Sequence, residues 1–301
     1  MSRNIAENRA PVRGAPLDPN ELALGIVAGL LETRTGQRLT ADRAWRVAGA
    51  LSGVLRANGL ASIDALGERL KQQGQTALAQ QVVEALLNNE TSFFRDRALF
   101  EQISEQVLPR LQQARTRQRK LSIWSAGCST GQEAYSLAML FAGERERWRG
   151  WKIEILGTDV SASMVAAAAE ATYSQFQVQR GLGAAQMVEW FEEVPTGWRA
   201  RPELRRMTRF ETRNLLEDPP APGSFDLILC RNVLLYFDAE TRRSAFSRLA
   251  EALAPDGWLM LGLGETTNGF TDQLVAERNS WAFRHPEEIR SSLPLTTSIR
   301  A

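Results

Sequence analysis

The 301-residue sequence predicts an α/β protein in two parts: an all-helical N-terminal unit, then a mostly parallel sheet with helices on both faces, interrupted by a strand-rich insertion. Three observations predict this. Helical signals follow one another between Leu22 and Leu87, and from Leu121 onward apolar strands alternate with helices. The third is the stretch Ile123 to Met139, IWSAGCSTGQEAYSLAM. It reads as a short strand (Leu121, Ile123, Trp124), a small-residue turn from Ser125 to Gly131, and a helix through Glu133, Tyr135, Leu137 and Met139.

Composition narrows the function classes. With 44% hydrophobic and 24% charged residues, the chain can bury one large core and a smaller one. A formal net charge of +1 provides no global field for nucleic acid or an anionic membrane surface, so charge-driven recognition must be local. No apolar run is long enough to span a bilayer, and the N-terminus lacks the hydrophobic core of a signal peptide; the protein is expected to be cytoplasmic and monomeric. Cys128 and Cys230 have no metal-ligand spacing and read as small buried residues in a reducing compartment, so no metal site is expected. His285 is the only histidine, and no nucleophile motif accompanies it.

In chain order, residues 1–18 read as a disordered lead-in and 19–88 as the helical domain. Leu22 to Leu31 is an apolar helix. Thr40 caps a helix with Ala44, Val47, Leu51, Val54 and Leu55 on one face, ended by Asn58-Gly59; Ser62 caps the next, and Ala79 to Leu87 forms another. Arg43, Arg46, Arg56, Arg69 and Lys71 on the polar faces are interspersed with Asp42, Asp64 and Glu68. They read as solvated surface, with a docking face for an acidic partner helix as the alternative.

Residues 89–120 form an interdomain segment and linker helix. In Asn88 to Phe100, NNETSFFRDRALF, the pair Phe93 and Phe94 belongs to the core, which leaves Asn89, Thr91 and Arg95 placed to face a cleft. The sheet domain covers 121–287. Ile153 to Leu156 is a strand ending in Gly157-Thr158-Asp159, where an acidic residue commonly binds a ribose diol, although Asp159 lies further from the glycines than the usual ~20 residues. Ser161 caps the following helix. A β insertion is expected at about 173–212, with Trp198 to Arg213 as short strands around Pro202. Phe225 to Leu229 is a buried strand whose carboxyl end carries Arg231 and Asn232, on the side where open α/β sheets bind ligands. Asp238 caps the helix that leads, through Pro255-Asp256-Gly257, to the strand Trp258 to Leu263. A last strand around Trp281 to Arg284 closes the sheet, and 288–301 read as a disordered tail.

The glycine turn by itself fits a dinucleotide site, a phosphate loop or an S-adenosylmethionine (SAM) site. It has no Lys-Ser/Thr ending, and Ser129 stands where G-x-G-x-x-G needs its middle glycine, so a ligand without phosphate is favoured.

Taken together, Asn89-Glu90-Thr91-Ser92-Phe93-Phe94-Arg95, the Trp124–Met139 turn, Gly157-Thr158-Asp159, Asn214-Leu215-Leu216, and Cys230-Arg231-Asn232-Val233 through Tyr236-Phe237-Asp238 followed by Pro255-Asp256-Gly257 resemble the chemotaxis receptor methyltransferase family, CheR, over about residues 20–287. The resemblance implies a doubly wound SAM-methyltransferase (Rossmann-like) domain with a small antiparallel β insertion. It implies transfer of a methyl group from SAM to glutamate side chains on the cytoplasmic helical bundle of chemoreceptors. By position, the SAM contacts would be Asn89, Thr91, Arg95, Ala126, Gly127, Glu133 and Arg231, with Asp159 on the ribose, Asn214 and Leu215 beside the adenine, and Asn232 and Val233 beside the methionine part. Arg95 and Tyr236 would lie nearest the transferred methyl. The chain departs from the family in reading Gln132-Glu133-Ala134 where Glu-Glu-Pro is usual, and in a short loop between the insertion strands that some relatives use to grip a receptor pentapeptide. Methylation of another protein or of a small molecule, and a non-catalytic SAM-binding role, are the rival readings.

Overall fold

A computed structural model of the protein describes residues 19–39, 41–278 and 280–287. The expected lead-in 1–18, the Thr40 cap and the tail 288–301 lie outside the described residues. The chain divides into two compact units: the described residues through Arg34 with Leu39–Leu86, and Leu87 onward with Thr35–Arg38.

The first unit is helical, as its periodicity requires. It contains α1 (Pro19–Thr35), α2 (Ala41–Ala57), α3 (Ile63–Leu70) and α4 (Thr76–Leu86). Val27, Val47, Leu51, Leu66, Leu78 and Val82 make its core, and Val54 and Leu55 pack against it half-buried. Ser62 Oγ accepts from the Ala65 N–H and so occupies one of the donors that the start of α3 leaves unpaired.

The second unit opens with α5 (Arg97–Gln102), which passes through a π-helical turn at Ile103–Val107 into α6 (Leu108–Ala114). There follow β1 (Lys120–Ala126), α7 (Gln132–Gly143), β2 (Lys152–Asp159) and α8 (Ala162–Glu170). The insertion holds β3 (Thr172–Tyr173), α9 (Gln175–Gln179), α10 (Ala184–Trp190), β4 (Phe191–Val194) and β5 (Gly197–Ala200). Then come α11 (Pro202–Arg205), β6 (Thr208–Thr212), β7 (Phe225–Cys230), a 3₁₀ turn at Leu234–Tyr236, α12 (Ala239–Ala252), β8 (Leu253–Leu261), β9 (Val275–Ala276) and β10 (Ala282–Arg284).

The main sheet runs β6-β2-β1-β7-β8-β10-β9. Its first five strands are parallel, β10 runs antiparallel to β8, and β9, antiparallel to β10, runs again in the direction of the first five. Alternation along the strands sorts the two faces. Leu121, Ile123, Leu227, Leu229 and Met260 pack on the face with the α5–α6 helix and α7, whereas Trp124, Leu156, Ile228, Cys230 and Leu259 pack with Phe246 and Leu249 of α12. All six residues of β7 are buried, as a central parallel strand covered on both sides should be. From β1 the chain first builds outward through β2 to β6, then returns to place β7 on the other flank of β1. That reversal opens a crevice at the carboxyl ends of β1 and β7.

One boundary differs from the sequence expectation. The antiparallel insertion is a three-stranded sheet, β3-β5-β4, that ends at Ala200, with a two-residue turn between β4 and β5. The next strand, β6, pairs parallel with β2 in the main sheet, Ile155 opposite Thr208 and Asp159 opposite Thr212. As the outer strand it is only half-covered, so its polar residues imitate an insertion strand. Residues 202–205, expected as strand near Pro202, form a helical turn with Pro202 at its start, where a missing N–H costs nothing.

At the amino end of the sheet, Arg115 joins three segments. Its Nε donates to Asp226 Oδ1 of β7 at 2.7 Å and its Nη1 to Asp256 Oδ2 of β8 at 2.7 Å, while Asp226 Oδ2 accepts from the Ser122 N–H of β1 at 2.8 Å. Burial pushes the Asp226 carboxyl above its ordinary range, and the guanidinium holds Asp256 below it. Arg115→Ala strands the Asp226 charge and is expected to cost about 3 kcal/mol in urea unfolding near neutral pH. Lowering the pH shrinks that cost, because a protonated Asp226 needs no cation.

Candidate functional site

Two tethers shape the crevice at the carboxyl end of the sheet. The N–H groups of Gly127 and Cys128 both donate to Thr158 O, at 2.8 and 2.9 Å, which draws the glycine turn onto the end of β2. Asp159 then uses both carboxylate oxygens. Oδ2 accepts from the Ser129 N–H at 2.8 Å and Oδ1 from the Ser161 N–H at 2.9 Å, so one side chain holds the turn after β1 and the start of α8. Asp159 is 9% exposed, and burial raises its pKa despite the backbone donors. Each oxygen keeps acceptor capacity for a further hydroxyl.

Gly127 is required twice over. Its φ is +79°, and a Cβ there would lie 2.4 Å from Cγ2 of Val233 on the opposite wall. The backbone and Val233 therefore meet in the space that a side chain would fill.

The segment before α5 supplies the third wall. Phe93 is buried edge-to-face against Tyr173 and Phe191 of the insertion, with ring centroids 5.1 and 5.3 Å apart, and each such pair adds about 1 kcal/mol. The Phe94 N–H donates to Ser136 Oγ of α7 at 2.9 Å, and Ser129 Oγ donates to Asn89 O at 2.7 Å. Phe94 and Asp96 both have left-handed backbone, φ 47° and 60°, so Arg95 projects from a sharply kinked chain. Its Nη1 donates to Glu90 O at 2.9 Å.

Arg231 locks this kink to the sheet. Its side chain is 2% exposed; Nη1 donates to Glu133 Oε2 at 2.9 Å, and Nη2 to Asp96 Oδ2 at 2.5 Å and Arg95 O at 2.8 Å. Glu133 is held from its other oxygen by Ser125 Oγ at 2.7 Å. The guanidinium of Arg231 and the carboxylate of Glu133 are thus engaged with the protein. On the facing side, the 3₁₀ turn carries Tyr236, whose Oη accepts from Asn88 Nδ2 at 2.5 Å. Residues 35–38 fasten that turn: the Arg38 N–H donates to Tyr236 O at 2.9 Å, and Gln37 bridges Phe237.

These groups surround an open cleft at the carboxyl end of the sheet, where open α/β sheets hold their ligands. Asn89, Arg95, Gly127 and Asp159 line it, as do Asn214, Leu215, Arg231, Asn232, Val233 and Tyr236. Thr91, Ala126 and Glu133 do not. Ala126 is buried under the turn, and Glu133 acts one layer behind it. Sequence reasoning missed Asn88, Ser129 and Arg213, and also Thr35 and Gln37, all of which line the cleft. Asn88 and Ser129 abut motifs that were recognised. Gln37 carries no local signal, since its position follows from a long-range bridge.

A doubly wound sheet, a glycine turn after β1 and a carboxylate at the end of β2 together define a Rossmann-like, nucleoside-binding α/β domain. Comparison gives the family. The family model described as the CheR methyltransferase SAM binding domain matches residues 89–283. Chemotaxis protein methyltransferase 1 of Pseudomonas aeruginosa is 36% identical over 246 residues, covering 80% of this chain and 89% of that protein. Chemotaxis protein methyltransferase Cher2 of Pseudomonas putida is 34% identical over 246 residues, with the same coverages of 80% and 89%. A chemotaxis protein methyltransferase of Vibrio parahaemolyticus is 32% identical over 251 residues, covering 82% and 90%. The chain belongs to the CheR methyltransferase family. Among the described residues, no helix is long and apolar enough to cross a membrane.

Arg231→Lys tests the lock. A lysine ammonium cannot span Glu133, Asp96 and the Arg95 carbonyl at once, so the variant is expected to lose about 2 kcal/mol in denaturant unfolding although the charge is kept.

Proposed function

We propose that the protein transfers a methyl group from SAM to glutamate side chains of chemoreceptor cytoplasmic domains, forming glutamate methyl esters in chemosensory adaptation. The observation that carries this reading is the convergence of Arg95 and Tyr236 on the cleft that the Gly127 turn and Asp159 also line. Family membership, and the names of the relatives, support the chemotactic setting.

The cleft fits the donor. Asp159 has acceptor capacity for the ribose hydroxyls, and Asn214 and Leu215 stand next to it, on the segment that Arg213 ties to β2 through its N–H to Asp159 O at 2.9 Å. Asn89, Gly127, Asn232 and Val233 supply further walls of the cleft. When bound, SAM supplies a methyl group carried on a positively charged sulfur.

The remaining work belongs to the protein. A glutamate side chain in water titrates near pH ~4.3, so the acceptor is already ionised at neutral pH and no general base is needed. What the site must do is hold an anion in line without protonating it. Arg95 provides a guanidinium whose fork matches a carboxylate. Tyr236 brings a phenolic group to the same rim.

Incubation with methyl-labelled SAM and a receptor cytoplasmic fragment tests the reading. Base-labile label on the fragment is expected; label only on other proteins or small molecules would overturn it. In the same assay, Arg95→Ala is expected to lower transfer by roughly a hundredfold or more with SAM affinity affected less. Calorimetry on Asp159→Ala is expected to show the opposite pattern, a loss of SAM affinity by about tenfold or more.

The raised pKa of Asp159 adds a pH dependence. Ribose hydroxyls donate to the ionised carboxylate, so protonation opposes binding, and SAM affinity should begin to fall above the ordinary carboxylate range. A folded-state pKa above the unfolded one stabilises the fold at low pH, a contribution lost as pH rises through the folded value. Acid therefore weakens binding through Asp159 without unfolding the protein through it. Titration calorimetry across mildly acidic buffers should show proton release on binding, and Asp159→Asn should abolish it.

A further inference from the structure

The loop that carries Asn232, Val233 and Tyr236 is gripped by side chains of opposite charge. Glu265, beyond the end of β8, accepts three backbone N–H groups: Asn232 at 2.9 Å and Gly262 at 2.8 Å on Oε2, and Leu234 at 3.1 Å on Oε1. Arg242, on α12, takes the carbonyls. Its Nε donates to Leu234 O and its Nη2 to Phe237 O, each at 3.1 Å. The anion holds the donors of the loop and the cation its acceptors.

This loop needs holding. Asn232 is a non-glycine residue in the left-handed region, φ 60°, and Leu234 begins the 3₁₀ turn that ends at Tyr236. Between them Val233 closes over Gly127. A slip of the loop would move a wall of the cleft and the tyrosine together. Space around the carboxylate is equally restricted, since a Cβ on Gly262 would lie 2.6 Å from Glu265 Oε2 and 3.0 Å from the Asn232 nitrogen.

We infer that Glu265, opposed by Arg242, is a positioning residue for the transfer: it clamps the 232–237 loop so that Tyr236 and Val233 face the reacting groups. The inference rests on the methyltransferase reading of the cleft. A glutamine at 265 offers one acceptor oxygen and turns two donors toward backbone N–H groups, so it is not a neutral replacement.

The test is single-turnover transfer at saturating SAM onto a receptor fragment, with E265Q and, as a lesion that keeps the carboxylate, G262A. Each is expected to slow the bound-state step by roughly ten- to a hundredfold. In the Tyr236→Phe background the E265Q loss should shrink to about threefold or less, since both changes remove the same alignment. A purely structural role would leave the two losses multiplicative, and that result, or an unchanged single-turnover rate, overturns the inference. If the wild-type protein fails to label the fragment, the reading of the cleft fails instead. Amide exchange then decides the clamp: Asn232, Leu234 and Gly262 should exchange faster in E265Q while β7 is unchanged, and equal exchange overturns it.

Discussion

A buried guanidinium holds the functional end of this molecule together. Arg231 leaves the end of the central strand β7 and binds Glu133 at the start of α7, Asp96 before α5 and the carbonyl of Arg95. Three segments that meet nowhere in sequence are thereby set against one another. Two anions and a carbonyl around one delocalised cation offset the cost of removing that charge from water, which a single pairing would do less well. Arg95 can then project from a kinked backbone because the residues on either side of it are tied down.

The two ends of the sheet divide stability from chemistry. At the amino end, Arg115 with Asp226 and Asp256 is a closed set of partners that ties β1, β7 and β8 in register. At the carboxyl end the carboxylates hold backbone donors: Asp159 takes those of Ser129 and Ser161, and Glu265 those of Asn232, Leu234 and Gly262. Backbone amides are neutral, so these carboxylates shape loops without being neutralised. The cleft thus combines the Asp159 carboxylate with the Arg95 guanidinium.

Much of the site was legible because its residues lie in short runs with local meaning. The turn Ser125 to Gly131, the acidic end of β2 and the Arg231-Asn232 pair after a buried strand all follow from strand ends and glycine, and ten of the singled-out residues line the cleft. The helical unit and the caps at Ser62, Ser161 and Asp238 were equally legible. What escaped was non-local. Gln37, Asn88 and Glu265 reach the 232–237 loop from distant parts of the chain, and the strand β6 reads as part of the insertion because an edge strand keeps a polar side.

By itself, the sequence determined the two-part architecture, the strand ends at which a ligand is held and the family whose motifs it carries, because hydrophobic period, caps and glycine turns act over a few residues. Tertiary structure alone decided which polar residues face the cleft and which stand behind it. Glu133 stands behind the cleft and Arg231 borders it, yet burial and mutual charge direct the carboxylate of one and the guanidinium of the other to the protein. Such an outcome depends on which segments pack side by side, and no local pattern encodes that.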